Sequence, residues 1–386
     1  MPTDPFAHLH VASGYSLRYG ASHPQALVTR AAEHGQEVLA LTDRDGLYGA
    51  VKFAKACITA GVHPVLGVDL ALAPSGALDG LGPSGPASAR SGGRGGSGAG
   101  ARRTPVRGGS SVDPRHARVL VLARGKAGWA ALNRLVSATH LGGERGRPVA
   151  TVAQVAEHAA GGDLTILLGP SGELGRALAV RRPDVARVVL DTWRAVVDPR
   201  QLVVEIVCHY GAADGDPAAL SSALAARMLG FACDHGVTAV LSNAVRYADR
   251  DQAVTADILD ASRRLVALDL RHVDRPNAEG HLKSGPQMAE VAAEVSRLAG
   301  TGAGSGTGSG RAASDVLLEA TRVLAQRCVL DPYADLGLGS VFLPELEVVD
   351  ASGSQDAQAL LRRRCDDGLG RRYGSAPGRR VLDRLD

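Results

Sequence analysis

No apolar run in the sequence approaches the roughly 20 uncharged residues that a membrane-spanning helix needs, so no membrane span is expected. The opening, MPTDPFAHLH, has neither the basic nor the apolar region of a secretory signal, and the expected location is cytoplasmic. Cysteine offers no framework. The five thiols (Cys57, Cys208, Cys233, Cys328, Cys365) are odd in number, widely spaced and without a C-x-x-C pair, which argues against a disulfide scaffold or a zinc ribbon. Most of them are expected to be buried. Charge of one sign is also lacking: 43 Lys and Arg face 40 Asp and Glu, and a net +3 creates no field that would by itself draw nucleic acid.

What is present is a globular composition, 386 residues with 45% apolar content, enough for two or three domains. Residues 74–115, rich in Gly, Ser, Pro and Arg, and the Gly/Ser segment 300–312 cannot pack a core and are expected to be disordered. The formal G-x-G-x-x-G at Gly93, Gly95 and Gly98 has no strand before it and no helix after it, so it is not a phosphate loop. Loop closure costs only about 0.6 kcal/mol per doubling of length, so a folded domain can carry such an insert.

Elsewhere, continuous apolar runs alternate with helical patterns. The runs are 37–43, 63–72, 117–123, 164–169, 201–207 and 238–245, each reading as a strand covered on both faces. The helical patterns include PQALVTRAAEHG and LSSALAARMLGFACDHG, closed by Gly35 and Gly236. Alternation of this kind predicts parallel strands joined by crossovers. With the opening HLHVAS as a further strand, about seven units fit an α/β barrel. Past residue 250 only helices are expected, giving a barrel over 1–250 and a helical connector over 251–386. The Arg-rich helix near the C-terminus (Arg362, Arg363, Arg364, Arg371, Arg372) is interrupted by Asp366 and Asp367 and reads as a solvated face. Asp214-Gly215-Asp216 reads as a turn.

In a parallel barrel the chemistry sits at the carboxyl ends of the strands. Four places there carry candidate ligands: His8 and His10 on one strand, Asp43 in Leu41-Thr42-Asp43-Arg44-Asp45-Gly46, Asp69 in Gly67-Val68-Asp69, and Glu205 through His209. The first two also have a plain structural reading. For the histidines it is one buried and one exposed ring; for Asp43 it is a helix cap.

Taken together, HLHVASGYSLRYGASHP, LALTDRDGLYGAVKFAKA and GVHPVLGVDLAL, in that order, resemble the opening of the PHP domain of bacterial C-family DNA polymerases. These are the DNA polymerase III alpha subunits, and the similarity is strongest to their error-prone, DnaE-type branch. VLVLARGKAGWAALNRLVSATH, VVEIVCHYG, LSNAVRYADRDQAVTADILDA, HLKSGPQMAE and LLRRRCDDGLGRRYG extend the resemblance along nearly the whole chain. It implies a distorted (β/α)7 barrel of PHP type followed by an all-helical connector. It also implies a set of metal ligands, and only part of that set is present. His10, Asp43, Asp69 and His209 match ligand positions, whereas Ala12, Arg44, Pro170, Ala244 and Arg246 stand where ligands are replaced. Arginine is a fixed cation that repels a metal.

The expectation is therefore a metal-free pseudo-site in which Arg44 and Arg246 pair with Asp43 or Asp69. No catalytic residue and no cofactor is expected; Zn or Mn would be the metal of an intact PHP site, and Mg that of the intact polymerase. The sequence contains no palm motif and is not expected to polymerise alone. The resemblance implies DNA as a partner of the intact polymerase, with other replication or repair proteins beside it. Two functions follow: a non-catalytic scaffold or interaction module, or a metal-dependent phosphoesterase or 3′–5′ exonuclease.

Overall fold

The computed structural model describes residues 4–78, 116–143, 146, 148–212, 216–265, 267–269, 275, 277–301, 309–341 and 354–385. The predicted disorder of the two low-complexity segments, and the turn at Asp214 and Gly215, fall largely or wholly outside these residues. The chain divides into two compact units, Met1–Leu338 and Gly339–Asp386. The second contains the Arg-rich helix Ser354–Tyr373, whose side chains are mostly exposed. Among the described residues no helix is long and apolar enough to cross a membrane.

The first unit is built on six strands that pair in chain order: β1 (Val38–Arg44), β2 (His63–Leu72), β3 (Ala117–Ala123), β4 (Leu164–Leu168), β5 (Leu202–Val207) and β6 (Thr238–Ser242). All six expected runs form strands, and nearly every strand residue is buried, as continuous apolar sequence requires. The opening segment closes the curl without forming a regular strand. Its His8 bridges Leu39 of β1 and its Val11 bridges Val245 just past β6. Hydrogen bonds from Ala40 N to His8 O and from Val245 N to His10 O, both 2.9 Å, tie it to both edges.

The expectation of uniformly parallel strands needs correction. β1–β2, β4–β5 and β5–β6 are parallel, but β3 is antiparallel to both β2 and β4. A strand buried on both faces carries no mark of its direction in its apolar pattern, so the reversal could not be read from ARVLVLA.

Helices cover the outside. Pro24 opens α1 (Pro24–Glu33), where a missing N–H costs nothing, and Gly35 follows it with φ of 76°. α2 (Ala50–Ala60), α3 (Gly125–Gly142), α4 (Val152–Ala159), α5 (Glu173–Ala179), α6 (Pro183–Arg194) and α7 (Ser222–Asp234) come next; Gly236 terminates α7 at φ of 62°. α8 (Ala253–Arg264), α9 (Gly285–Thr301) and α10 (Ser309–Cys328) belong to the same compact unit as the sheet, although the sequence places them in the connector region. α10 has a specific reason to pack there. Its Leu324, Ala325 and Cys328 fill the concave side of the sheet against Ala40, Val65 and Leu122, while the convex side packs on the outer helices. Of the cysteines, Cys57, Cys208 and Cys328 are buried and Cys233 is exposed.

Candidate functional site

Alternation along the strands decides which side chains reach the concave mouth. On β1, Val38 and Ala40 belong to the inner cluster and Leu39 and Leu41 to the outer one, so Arg44 faces inward and its neighbour Asp43 outward. In the parallel register Arg44 lies opposite Asp69 of β2. The two nevertheless make only a loose contact, with Arg44 Nε 3.3 Å from Asp69 Oδ2. The closer partner is Arg118, from the start of β3. Its Nε donates to Asp69 Oδ2 at 2.8 Å and its Nη2 to Asp45 Oδ1 at 3.1 Å and to the Asp69 carbonyl oxygen.

His10 stands on the other side of Asp69. Its Nε2 is 3.9 Å from Asp69 Oδ2, and its Nδ1 donates to Glu205 Oε1 at 2.8 Å. Ser242 Oγ donates to the same Glu205 oxygen. Glu205 comes this close because residue 169 is a glycine; a Cβ there would collide with the carboxylate. Both His8 and His10 are buried, not one exposed as the plain reading had it. His8 points elsewhere, donating from Nε2 to the Lys283 carbonyl oxygen at 2.8 Å.

The other two candidate ligands are spoken for. Asp43 accepts from Ser13 N at 2.7 Å, from Ser13 Oγ at 2.9 Å and from Ser16 Oγ at 2.6 Å, so it fastens the loop after the opening segment. His209 gives its Nε2 hydrogen to the Asn243 carbonyl oxygen at 2.8 Å. The expected pairing of Arg44 with Asp69 is present in weak form. Arg246 pairs with neither Asp43 nor Asp69; it makes a two-pronged ion pair with Asp260 of α8, at 2.9 and 3.2 Å. Tyr19 joins the two arginines, with the Arg44 and Arg246 guanidinium carbons 3.3 and 4.1 Å from its ring centroid. At the remaining replaced positions, Ala12 is buried and bonds through its backbone to Val245, Pro170 presses on Gly175 of α5, and Ala244 adopts φ of 42°.

Charge follows this geometry. Burial is the largest influence on His10 and opposes its charged form, but the Glu205 and Asp69 carboxylates outweigh it and raise its pKa above the usual histidine value. Burial also pushes Asp69 toward protonation, yet Arg118, Arg44 and His10 together hold it below the ordinary carboxylate range. Asp43 has hydrogen bonds but no cation beside it, and burial raises its pKa. Burial dominates at His209 and lowers it to about 4.

These residues do not fit the metal that the resemblance implies. The donor set is split: Asp43 is consumed by serines, His209 by a carbonyl, and Asp69 carries two guanidinium groups that would repel a divalent cation. Among the described residues no group of three or more His, Cys, Asp or Glu is arranged to hold a metal ion.

Arg118, Asp45, Tyr19 and Asp260 were not singled out from sequence. The signal for Arg118 was a lone arginine opening an otherwise apolar strand; its reach to the mouth depends on the antiparallel course of β3. For Asp260 the only hint was a buried-face carboxylate three residues before Arg263, which an exposed helical pair would match equally well.

A curled six-stranded α/β sheet gathers these polar residues at one mouth, and the comparison with family models gives the class. The PHP domain model matches residues 8–209, and the chain belongs to that family. Its relatives include the error-prone DNA polymerase of Mycolicibacterium paratuberculosis, 32% identical over 75% of this chain and 23% of that protein. The error-prone DNA polymerase of Nocardia farcinica is 32% identical over 97% of this chain and 31% of that protein. The chain thus spans less than a third of the length of these relatives. Among solved structures, an amidohydrolase from Chromobacterium violaceum aligns at a TM-score of 0.36 and 14% identity, covering 62% of this chain and 87% of that one.

Proposed function

We propose that this chain serves as the PHP module of an error-prone DNA polymerase and that the module is a non-catalytic scaffold. DNA is then a partner of the whole polymerase, whose palm would use Mg, and other replication or repair proteins are partners of the module's surface. The observation that carries the reading is the ion-pair cluster at the mouth. Arg118 and Arg44 lie at 2.8 and 3.3 Å from Asp69, the carboxylate 3.9 Å from His10 Nε2, and their fixed positive charges oppose a divalent cation there. Losses around a metal site typically cost about 10- to 100-fold in affinity or activity for each supporting group, and here several ligand positions are changed at once.

The competing reading is a metal-dependent phosphoesterase or 3′–5′ exonuclease. Its support is the nearness of His10 to two carboxylates, Glu205 at 2.8 Å and Asp69 at 3.9 Å. Hydrolysis of single-stranded DNA and of a generic phosphodiester, with Zn, Mn or Mg added, separates the two. The scaffold reading expects the wild-type chain to match its Asp69→Ala variant. Turnover that disappears in Asp69→Ala would replace it with the enzymatic one.

A further inference from the structure

Asp69 Oδ2 faces two guanidinium groups and the His10 ring, and only one of the three meets it with full hydrogen-bond geometry. Arg44 Nε lies 3.3 Å away yet makes no aligned hydrogen bond, and His10 Nε2 stops at 3.9 Å. Arg118 alone bonds to Asp69 through side chain and backbone and bonds to Asp45 as well. All three residues are buried: Asp69 is 3%, Asp45 7% and Arg118 7% exposed. Asp45 is further fixed by the Ala71 N–H at 2.9 Å, so the guanidinium joins β2, β3 and the turn after β1.

The fold makes this possible through one reversal. β1 and β2 run parallel and deliver Asp45 and Asp69 at their carboxyl ends. β3 runs the other way, so its first residues, not its last, arrive at that mouth, with Arg118 paired to Ala71. A parallel β3 would have carried Arg118 to the opposite end of the sheet.

We propose that Arg118 is the resident cation of this mouth, a side chain that neutralises the Asp45 and Asp69 carboxylates in the way a bound metal would, so that the barrel stays folded without one. The proposal rests on the metal-free reading above. It predicts that the damage from losing Arg118 comes mainly from stranded carboxylates, because breaking a buried ion pair costs far more than its presence adds.

The test is urea unfolding of the whole chain as wild type, Arg118→Met, Asp69→Asn, the double variant and Arg118→Lys, with the exposed Arg187→Met as control. Arg118→Met is expected to raise the unfolding constant by roughly 200- to 5000-fold, the scale for a broken buried pair. Adding Asp69→Asn to Arg118→Met should recover a large part of that loss, and Arg118→Lys should fall between wild type and Arg118→Met. Losses in the double variant that simply add, or an Arg118→Met no worse than the control, would overturn the proposal. If Arg118→Met does not fold, Arg118→Met with both Asp45→Asn and Asp69→Asn must fold, since no carboxylate is then left unpaired; its failure also overturns the proposal. Metal content measured on the wild type is a separate readout: near-stoichiometric metal there would sink the metal-free reading, whatever the unfolding data show.

Discussion

Asp260 offers the sharpest stability test outside the mouth itself. It has no solvent exposure, sits in the second turn of α8, and accepts from Arg246 at 2.9 and 3.2 Å and from Arg263 at 3.1 Å. Arg246 in turn donates to the Tyr19 carbonyl oxygen at 3.0 Å, so the carboxylate links α8 to the loop after the opening segment. Asp260→Ala leaves buried guanidinium groups without their counter-ion, and removing one partner of such a pair costs about 3–5 kcal/mol. Asp260→Asn keeps the shape and one acceptor but loses the charge; the difference between charged and neutral hydrogen bonds puts its cost at about 2 kcal/mol. Urea unfolding followed by far-UV circular dichroism measures both. The reasoning fails if Asp260→Ala lies within about 0.5 kcal/mol of wild type, the range of an ordinary surface change, or if the Asn variant proves worse than the Ala one.

Two further predictions concern the same region. His8 and His209 are both lowered to about 4 by burial, the largest influence on each, so the unfolded chain, with histidines near 6.5, binds protons that the folded chain refuses. Stability should therefore be full above about pH 6.5 and fall as the pH drops toward 4, by on the order of 3 kcal/mol for each histidine. His209→Gln should flatten that slope in a pH series of unfolding midpoints, and an unchanged slope would contradict the assignment. Tyr19→Leu removes the ring under two guanidinium groups and should cost about 1–2 kcal/mol, whereas Tyr19→Phe, which keeps the ring, should stay close to wild type in the same assay.

Much of the fold was legible because it rests on local signals. The six apolar runs became the six strands within a residue or two at most ends, and Gly35 and Gly236 close their helices in the left-handed conformation as expected. The opening motifs identified the family for the same reason, since they are contiguous in sequence. What was not legible depends on long-range geometry. The direction of β3 leaves no trace in a doubly buried strand, and with it went the role of Arg118. Strand alternation could have shown that Asp43 and Arg44 face opposite ways, and so that Arg44 would meet Asp69 and not Asp43. The pairing of Arg246 with Asp260 joins the end of the sheet to a helix that the sequence assigned to another region, and only the packing of α8 brings them together.

Metal content tests the central claim most directly. The chain, produced with Zn and Mn available and purified without chelator, can be assayed by plasma mass spectrometry beside a His10→Ala variant. The account predicts far less than one metal ion per chain in both. Close to one Zn or Mn per wild-type chain, lost in His10→Ala, would contradict it and establish a working metal centre at His10, Asp69 and Glu205.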